Sequence, residues 1–353
     1  MHFRNITAAL GASLFLAMAT PAATAEALAF VNIAGMAPSA PAPSSGSNAD
    51  VEKVLTRPAD LWERIRNGFG IPALDHPLVR EHERWFVERP DQLRAILARG
   101  RLYLHFIVEA TEQRDLPLEL VLVPIIESGF NPMALSPAQA AGLWQFIPGT
   151  GTRFGLEQSH DLDERRDVMA STAAALQYLG KLYAQFGDWH LALASYNWGE
   201  NAVARAAERV RAAGKPVTFG TLSLPEETRN YVPRILALSN IIANPAAFGI
   251  ALEEIPNKPY FARIALRTEV DFPTAAKLSG MTQEELRALN PGLHRSSIER
   301  GTRSSVLVLP VEKVDDFRTN LESYEAALNS SRMIWHTFGS VKSGPPIKKL
   351  PAA

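Results

Sequence analysis

A glutamate, Glu127, closes the apolar run LPLELVLVPII at residues 116–126. A carboxylate among apolar groups is costly unless it is paired or protonated. In one reading Glu127 escapes to solvent at the end of its helix, and Asn131-Pro132 is a plain turn. In the other it sits between apolar packing and an open cleft, where desolvation raises its pKa and the protonated carboxyl serves as a general acid. Ser128 beside it suits a hydrogen bond to a carboxylate or a ligand. Two further stretches carry groups of this kind. SPAQAAGLWQFIPGTGTRFGL, residues 136–156, is rich in glycine and small residues, so backbone is able to approach a ligand closely. Within it Gln145 both donates and accepts. ALASYNWGEN, residues 192–201, sets Tyr196, Asn197 and Trp198 where a helix should break. An aromatic face beside amide side chains suits a sugar: the ring covers C–H groups and the amides bind hydroxyl and acetamide groups. The plainer alternatives are a core-filling Trp144, a solvent-facing Gln145 and a tight interhelical turn with two core aromatics.

The elements that must position these groups read as helices. RPDQLRAILARGRLYLHFIVEATEQRD repeats apolar residues every three or four positions, with Pro90 and Asp91 as start signals. The run that precedes Glu127 is apolar on nearly all sides, which predicts a central buried helix. Pro117 suits its first turn, and Pro124 should kink or break it. RRDVMASTAAALQYLGKLYAQFG predicts another helix, with Asp167 near its start and Gly187 just past its end. WHLALASYNWGENAVARAAERV predicts two helices that break between Asn197 and Gly199. From about Tyr260 the pattern changes to a strand, two short helices and a second strand, with Thr282 and Glu285 forming a capping box. The fold class expected is therefore mainly α, followed by a small strand-helix-helix-strand module.

The chain has 353 residues, is 46% hydrophobic and carries a formal net charge of -1, so no global field favours nucleic acid or an anionic membrane. Residues 1–25 read as a signal peptide, with a basic start at Arg4, a short apolar stretch and Ala23-Thr24-Ala25 as the cleavage site. Residues 26–59 read as a linker rich in Pro, Ala and Ser. A helical domain is expected over residues 60–255, the small module over 256–315 and a loose tail over 316–353. Cysteine is absent, so disulfides, thiolate ligands and attachment of lipid through cysteine are excluded. An exported, soluble protein of the periplasm or cell envelope is expected, with at most peripheral association with the envelope. The eight histidines show no helical pair at ligand spacing, so neither a metal nor another cofactor is expected.

Three blocks, Glu127-Ser128, Gly142 to Phe146 and Ala194 to Gly199, together resemble those of the lytic transglycosylase domain. That is the goose-lysozyme-like, lysozyme-like fold which cleaves bacterial peptidoglycan. The likeness spans Leu61 to Pro259 and looks like the membrane-bound D type. It implies that Glu127 is the single catalytic acid and base. It implies that Ser128, Gln145, Tyr196 and Asn197 line the sugar cleft, and that Tyr231 closes it from another helix. By the same likeness Trp144 and Phe146 are structural and Glu200 has no catalytic role. Residues 260–311 resemble a lysin-motif (LysM) domain, although Glu269-Val270-Asp271-Phe272 stands where that family has Gly-Asp-Thr. The expected activity is non-hydrolytic cleavage of the β-1,4 bond between N-acetylmuramic acid and N-acetylglucosamine, giving 1,6-anhydromuramyl ends. Peptidoglycan glycan strands are the expected partner. The alternatives are a goose-type lysozyme-like hydrolase and a non-catalytic peptidoglycan-binding protein. A hydrolase would use a second carboxylate. Asp161, Asp163, Glu164 and Asp167 lie among arginines, where ion pairs and a helix cap explain them.

Overall fold

The computed structural model describes residues 58–294, 297–298 and 306–338. The expected signal peptide, nearly all of the linker and the last residues of the tail lie outside the described residues. Contacts divide the chain into two units, one ending at Lys258 and one beginning at Pro259, with residues 159–162 grouped with the second.

The first unit is helical, and among its described residues only isolated bridges represent β structure. Its helices are α1 (Leu61–Asn67), α2 (Pro77–Val87), α3 (Pro90–Gly100), α4 (Leu104–Glu112), α5 (Val123–Ser128), α6 (Pro148–Arg153), α7 (Val168–Phe186), α8 (Trp189–Trp198), α9 (Glu200–Ala212) and α10 (Glu226–Ala243). Helix α10 packs against α2 and α8, and α7 packs against α8. The expected single helix before Glu127 is instead a 3-10 turn, Leu118–Leu122, that passes into α5. Pro124 explains the change. It cannot donate to a carbonyl four residues back, but in the first turn of α5 that donor is not needed. The turn is fully buried, as its composition requires. Its one charge, Glu119, is held by the N–H groups of Gly70 (2.9 Å) and Ile71 (2.8 Å).

The expected ends of α7 and α8 are present. Asp167 accepts from Met169 N and Ala170 N at 2.8 and 2.7 Å to cap α7, and Gly187 ends it in the left-handed region. Gly199, at φ 90° and ψ 137°, separates α8 from α9.

In the second unit β1 (Phe261–Ala265) pairs antiparallel with β4 (Val306–Pro310), and the short β2 (Val270–Asp271) pairs with β3 (Ser297–Ile298). Helices α11 (Phe272–Ser279) and α12 (Gln283–Leu289) lie between them, and Thr282 and Glu285 form the expected capping box. Buried Asn290 ties the helix end to the sheet: its Oδ1 accepts from Val308 N at 2.8 Å, and its Nδ2 donates to Val308 O at 2.9 Å. The stretch expected as a loose tail differs. Helix α13 runs from Val314 to Phe338, and it starts inside the predicted module. Val314, Phe317, Leu321 and Tyr324 recur at helical spacing, and they bury against the core formed by Phe272, Leu286, Leu307 and Leu309.

Candidate active site

Glu127 lies in the last turn of α5. Gly129 terminates that helix at φ 59°, which glycine adopts without strain, and Arg99 Nε holds the Gly129 carbonyl at 2.8 Å. The turn aims Glu127 into a cleft of about 310 Å³, lined also by Gln145, Phe146, Tyr196 and Asn197. From α10, the buried Tyr231 donates its hydroxyl to Glu127 Oε1 at 2.5 Å. Burial raises the Glu127 pKa, the Tyr231 hydrogen bond lowers it and the charge of Glu227 raises it, leaving it at about 7. Both protonation states are therefore populated near neutrality. Because Tyr231 stabilises the carboxylate, Tyr231→Phe is expected to shift the Glu127 titration to higher pH. A pH–rate profile should show its alkaline limb moved upward, with a maximal rate about tenfold lower. An unmoved limb would remove Tyr231 from this role.

The loop before α6 supplies the facing wall. Isolated bridges join Ala141 to both Leu135 and Phe146. Gly142 has φ 81°, and a Cβ there would lie 1.9 Å from the Arg165 carbonyl oxygen. Gly142→Ala is therefore expected to yield a poorly folded protein with a sharply lower Tm, by strain as well as collision. A wild-type melting curve for this variant would contradict that reading. Arg165 staples the loop from behind. It makes two bonds to Asp163, at 2.9 and 2.8 Å, and donates to Gln139 O at 2.7 Å and Phe146 O at 3.3 Å. The acidic stretch is thus structural in its main members: Asp163 holds Arg165, Asp167 caps α7, and Glu164 accepts from Glu157 N at 2.7 Å. Trp144 is fully buried, and its Nε1 donates to Thr172 Oγ1 at 2.9 Å. Gln145 adopts φ 50°, and its Nε2 donates to Gly142 O at 2.8 Å, so its carbonyl oxygen remains available as an acceptor.

The helix break brings in the third wall. Tyr196 donates to Trp144 O at 2.8 Å, and Phe146 meets its ring edge-on at 6.4 Å between centroids. Asn197 accepts from Thr228 Oγ1 at 2.7 Å, and its amide nitrogen lies 3.4 Å from Glu227 Oε1. Of the six residues anticipated from sequence, Glu127, Gln145, Tyr196 and Asn197 line the cleft, and Tyr231 reaches Glu127 directly. Ser128, next to Glu127, is partly exposed. Its hydroxyl lies 2.9 Å from Leu143 O and 3.2 Å from Pro124 O, and so ties α5 to the facing loop.

Sequence reasoning missed one cluster on the cleft wall. Glu200 receives Arg153 Nη1 at 2.5 Å and the Tyr178 hydroxyl at 2.6 Å. Burial alone would raise the Glu200 pKa, but these bonds, its backbone N–H and the charge of Arg153 bring it down to about 2. Glu200 is thus a fixed anion. Its place beside Gly199, at a helix start, was the available signal, and it suggested only a helix charge.

Residues 105–219 match the family described as Transglycosylase SLT domain. This chain carries a transglycosylase SLT domain. The match includes Glu127, Ser128, Gln145, Tyr196 and Asn197, and Tyr231 lies beyond it. Residues 260–326 match the family described as Lytic transglycosylase MltD, LysM-like domain, so the small unit is LysM-like and takes in the first half of α13. The chain is 38% identical over 278 residues to the membrane-bound lytic murein transglycosylase D of Escherichia coli K12, covering 78% of this chain and 61% of that protein. It thus spans about three fifths of that relative's length. The chain is also 34% identical over 121 residues to the soluble lytic murein transglycosylase of Salmonella typhimurium, covering 31% of this chain and 18% of that protein. The crystal structure of the 70 kDa soluble lytic transglycosylase of E. coli overlaps at a TM-score of 0.36 and 23% identity, over 45% of this chain and 29% of that one. That overlap is too partial to define an architecture.

Proposed function

We propose that the chain is a peptidoglycan lytic transglycosylase that acts through Glu127 alone as acid and then base. The observation that carries this reading is the Glu127 carboxyl, held by Tyr231 in an open cleft with a pKa of about 7. A group that must donate a proton and then accept one works best near its own pKa. Protonated Glu127 gives its proton to the glycosidic oxygen between N-acetylmuramic acid and N-acetylglucosamine. The C1–O bond breaks, and the muramyl 2-acetamido oxygen stabilises the cation that develops at C1. The N-acetylglucosamine leaves as an alcohol. The Glu127 carboxylate then takes the proton of the muramyl C6 hydroxyl, and that oxygen bonds to C1. The products are a 1,6-anhydromuramyl end and a new hydroxyl, and no water is consumed. Gln145, Tyr196 and Asn197 hold the sugars, and Ser128 positions α5. The expected leader supports action in the cell envelope, where this substrate lies.

A hydrolase reading draws on one observation, the exposed Glu227 whose charge acts on Glu127. A water activated there would give reducing ends. Mass analysis of fragments released from purified sacculi separates the two. Muramyl ends lighter by one water support the transglycosylase, and reducing ends support the hydrolase. No soluble fragment would leave only peptidoglycan binding.

A further inference from the structure

Beyond Glu127 the cleft wall carries charges that the proposed reaction leaves unused. Arg153 ends α6 with 44% of its side chain exposed. Its guanidinium lies over the rings of Phe154 and Tyr178, at 5.1 and 5.3 Å. Glu200 accepts from both terminal nitrogens, at 2.5 and 3.3 Å, and the Tyr178 hydroxyl holds Glu200 Oε2 at 2.6 Å. Stacking and ion pairing thus fix the plane of the guanidinium. Of its five N–H groups, those not pointed at Glu200 remain free to donate. Arg205 reaches the same cleft from α9, one turn after Asn201, which also lines it. Arg205 is exposed and has no hydrogen-bond or ion-pair partner among the described residues. Two guanidiniums here face one carboxylate, so this wall carries surplus positive charge.

A neutral sugar chain gives no use to that surplus. The anions of peptidoglycan are carboxylates: those of the peptide stem, or that of the lactyl group when the stem is absent. We infer that Arg153 and Arg205 form an anion subsite that takes a carboxylate borne by the muramyl unit. The guanidinium fork matches a carboxylate with two parallel hydrogen bonds. Arg153 is pre-oriented by Glu200 and the rings, and Arg205 supplies the unpaired charge. This inference rests on the reading of the cleft as a glycan site.

The test is equilibrium binding to the full chain carrying Glu127→Gln, which leaves the ligands uncut. Three probes are used: a neutral N-acetylglucosamine oligomer, a glycan strand stripped to bare lactyl groups, and the same strand with its stems. At low salt one or both charged strands should bind roughly three- to tenfold tighter than the neutral oligomer. The advantage should shrink as salt rises. Arg205→Gln and Arg153→Gln should bring the charged-to-neutral ratio toward one, and Arg205→Lys should partly restore it. A loss confined to the stem-bearing strand assigns the stem carboxylates, and a loss confined to the stripped strand assigns the lactyl group. An advantage that survives both glutamine variants overturns the subsite. Equal binding of all three probes overturns it and leaves the glycan cleft standing, whereas no binding of any probe overturns both.

Discussion

Replacing Glu127 with glutamine is expected to lower the release of soluble wall fragments by about a thousandfold, in the middle of the range for losing a general acid. The size of the effect follows from the double use of one group. Glutamine can neither protonate the leaving oxygen nor accept the C6 proton, so both halves of the proposed reaction lose their catalyst. Shape is conserved, because the glutamine carbonyl still accepts from the Tyr231 hydroxyl that lies 2.5 Å from Glu127 Oε1. The loss should therefore fall on kcat, with binding of uncut glycan retained. Release of fragments from sacculi measures it. An undiminished rate would remove Glu127 from the chemistry; Glu200, the other carboxylate lining the cleft among the described residues, is locked to Arg153 and Tyr178.

The same substitution is expected to stabilise the fold at alkaline pH. Burial holds the Glu127 pKa at about 7, against an ordinary value of 4.5. Below about pH 4.5 the carboxyl is neutral in both folded and unfolded chains, and the site costs nothing. As pH rises from there to about 7, the unfolded chain loses the proton first, and folding stability falls. Above about 7 the penalty is complete, at roughly 3 kcal/mol for a shift of this size. Glutamine carries no charge and escapes the penalty. Denaturant unfolding at pH 5 and pH 8.5 should show Glu127→Gln gaining on the wild type between the two. Equal gains at both values would mean that the folded protein does not hold this carboxyl near neutrality.

Much of this arrangement was legible because local chemistry and global fold agree. Asp167 and Gly187 bracket α7, Gly199 breaks α8 from α9, and Thr282 with Glu285 opens α12, each by a rule that involves only neighbouring residues. Glu127 stood out because an apolar run has few reasons to end in a charge. What was not legible depends on distant partners. Ser128 faces the loop because the Leu143 carbonyl comes within reach, and residue order does not reveal that contact. Arg153, Tyr178 and Glu200 meet across three separate helices, so no spacing announces them. The length of α13 was hidden by its polar exposed face, although Val314, Phe317, Leu321 and Tyr324 hold the period that Phe317 buries.

In the proposed reaction the C6 hydroxyl, and not water, attacks C1, with Glu127 as its base. Digestion of sacculi in heavy-oxygen water tests it directly. Muramyl ends that carry no heavy oxygen, in an anhydro form that disappears with Glu127→Gln, are the predicted result. Heavy oxygen at C1 of the released muramyl ends would contradict it.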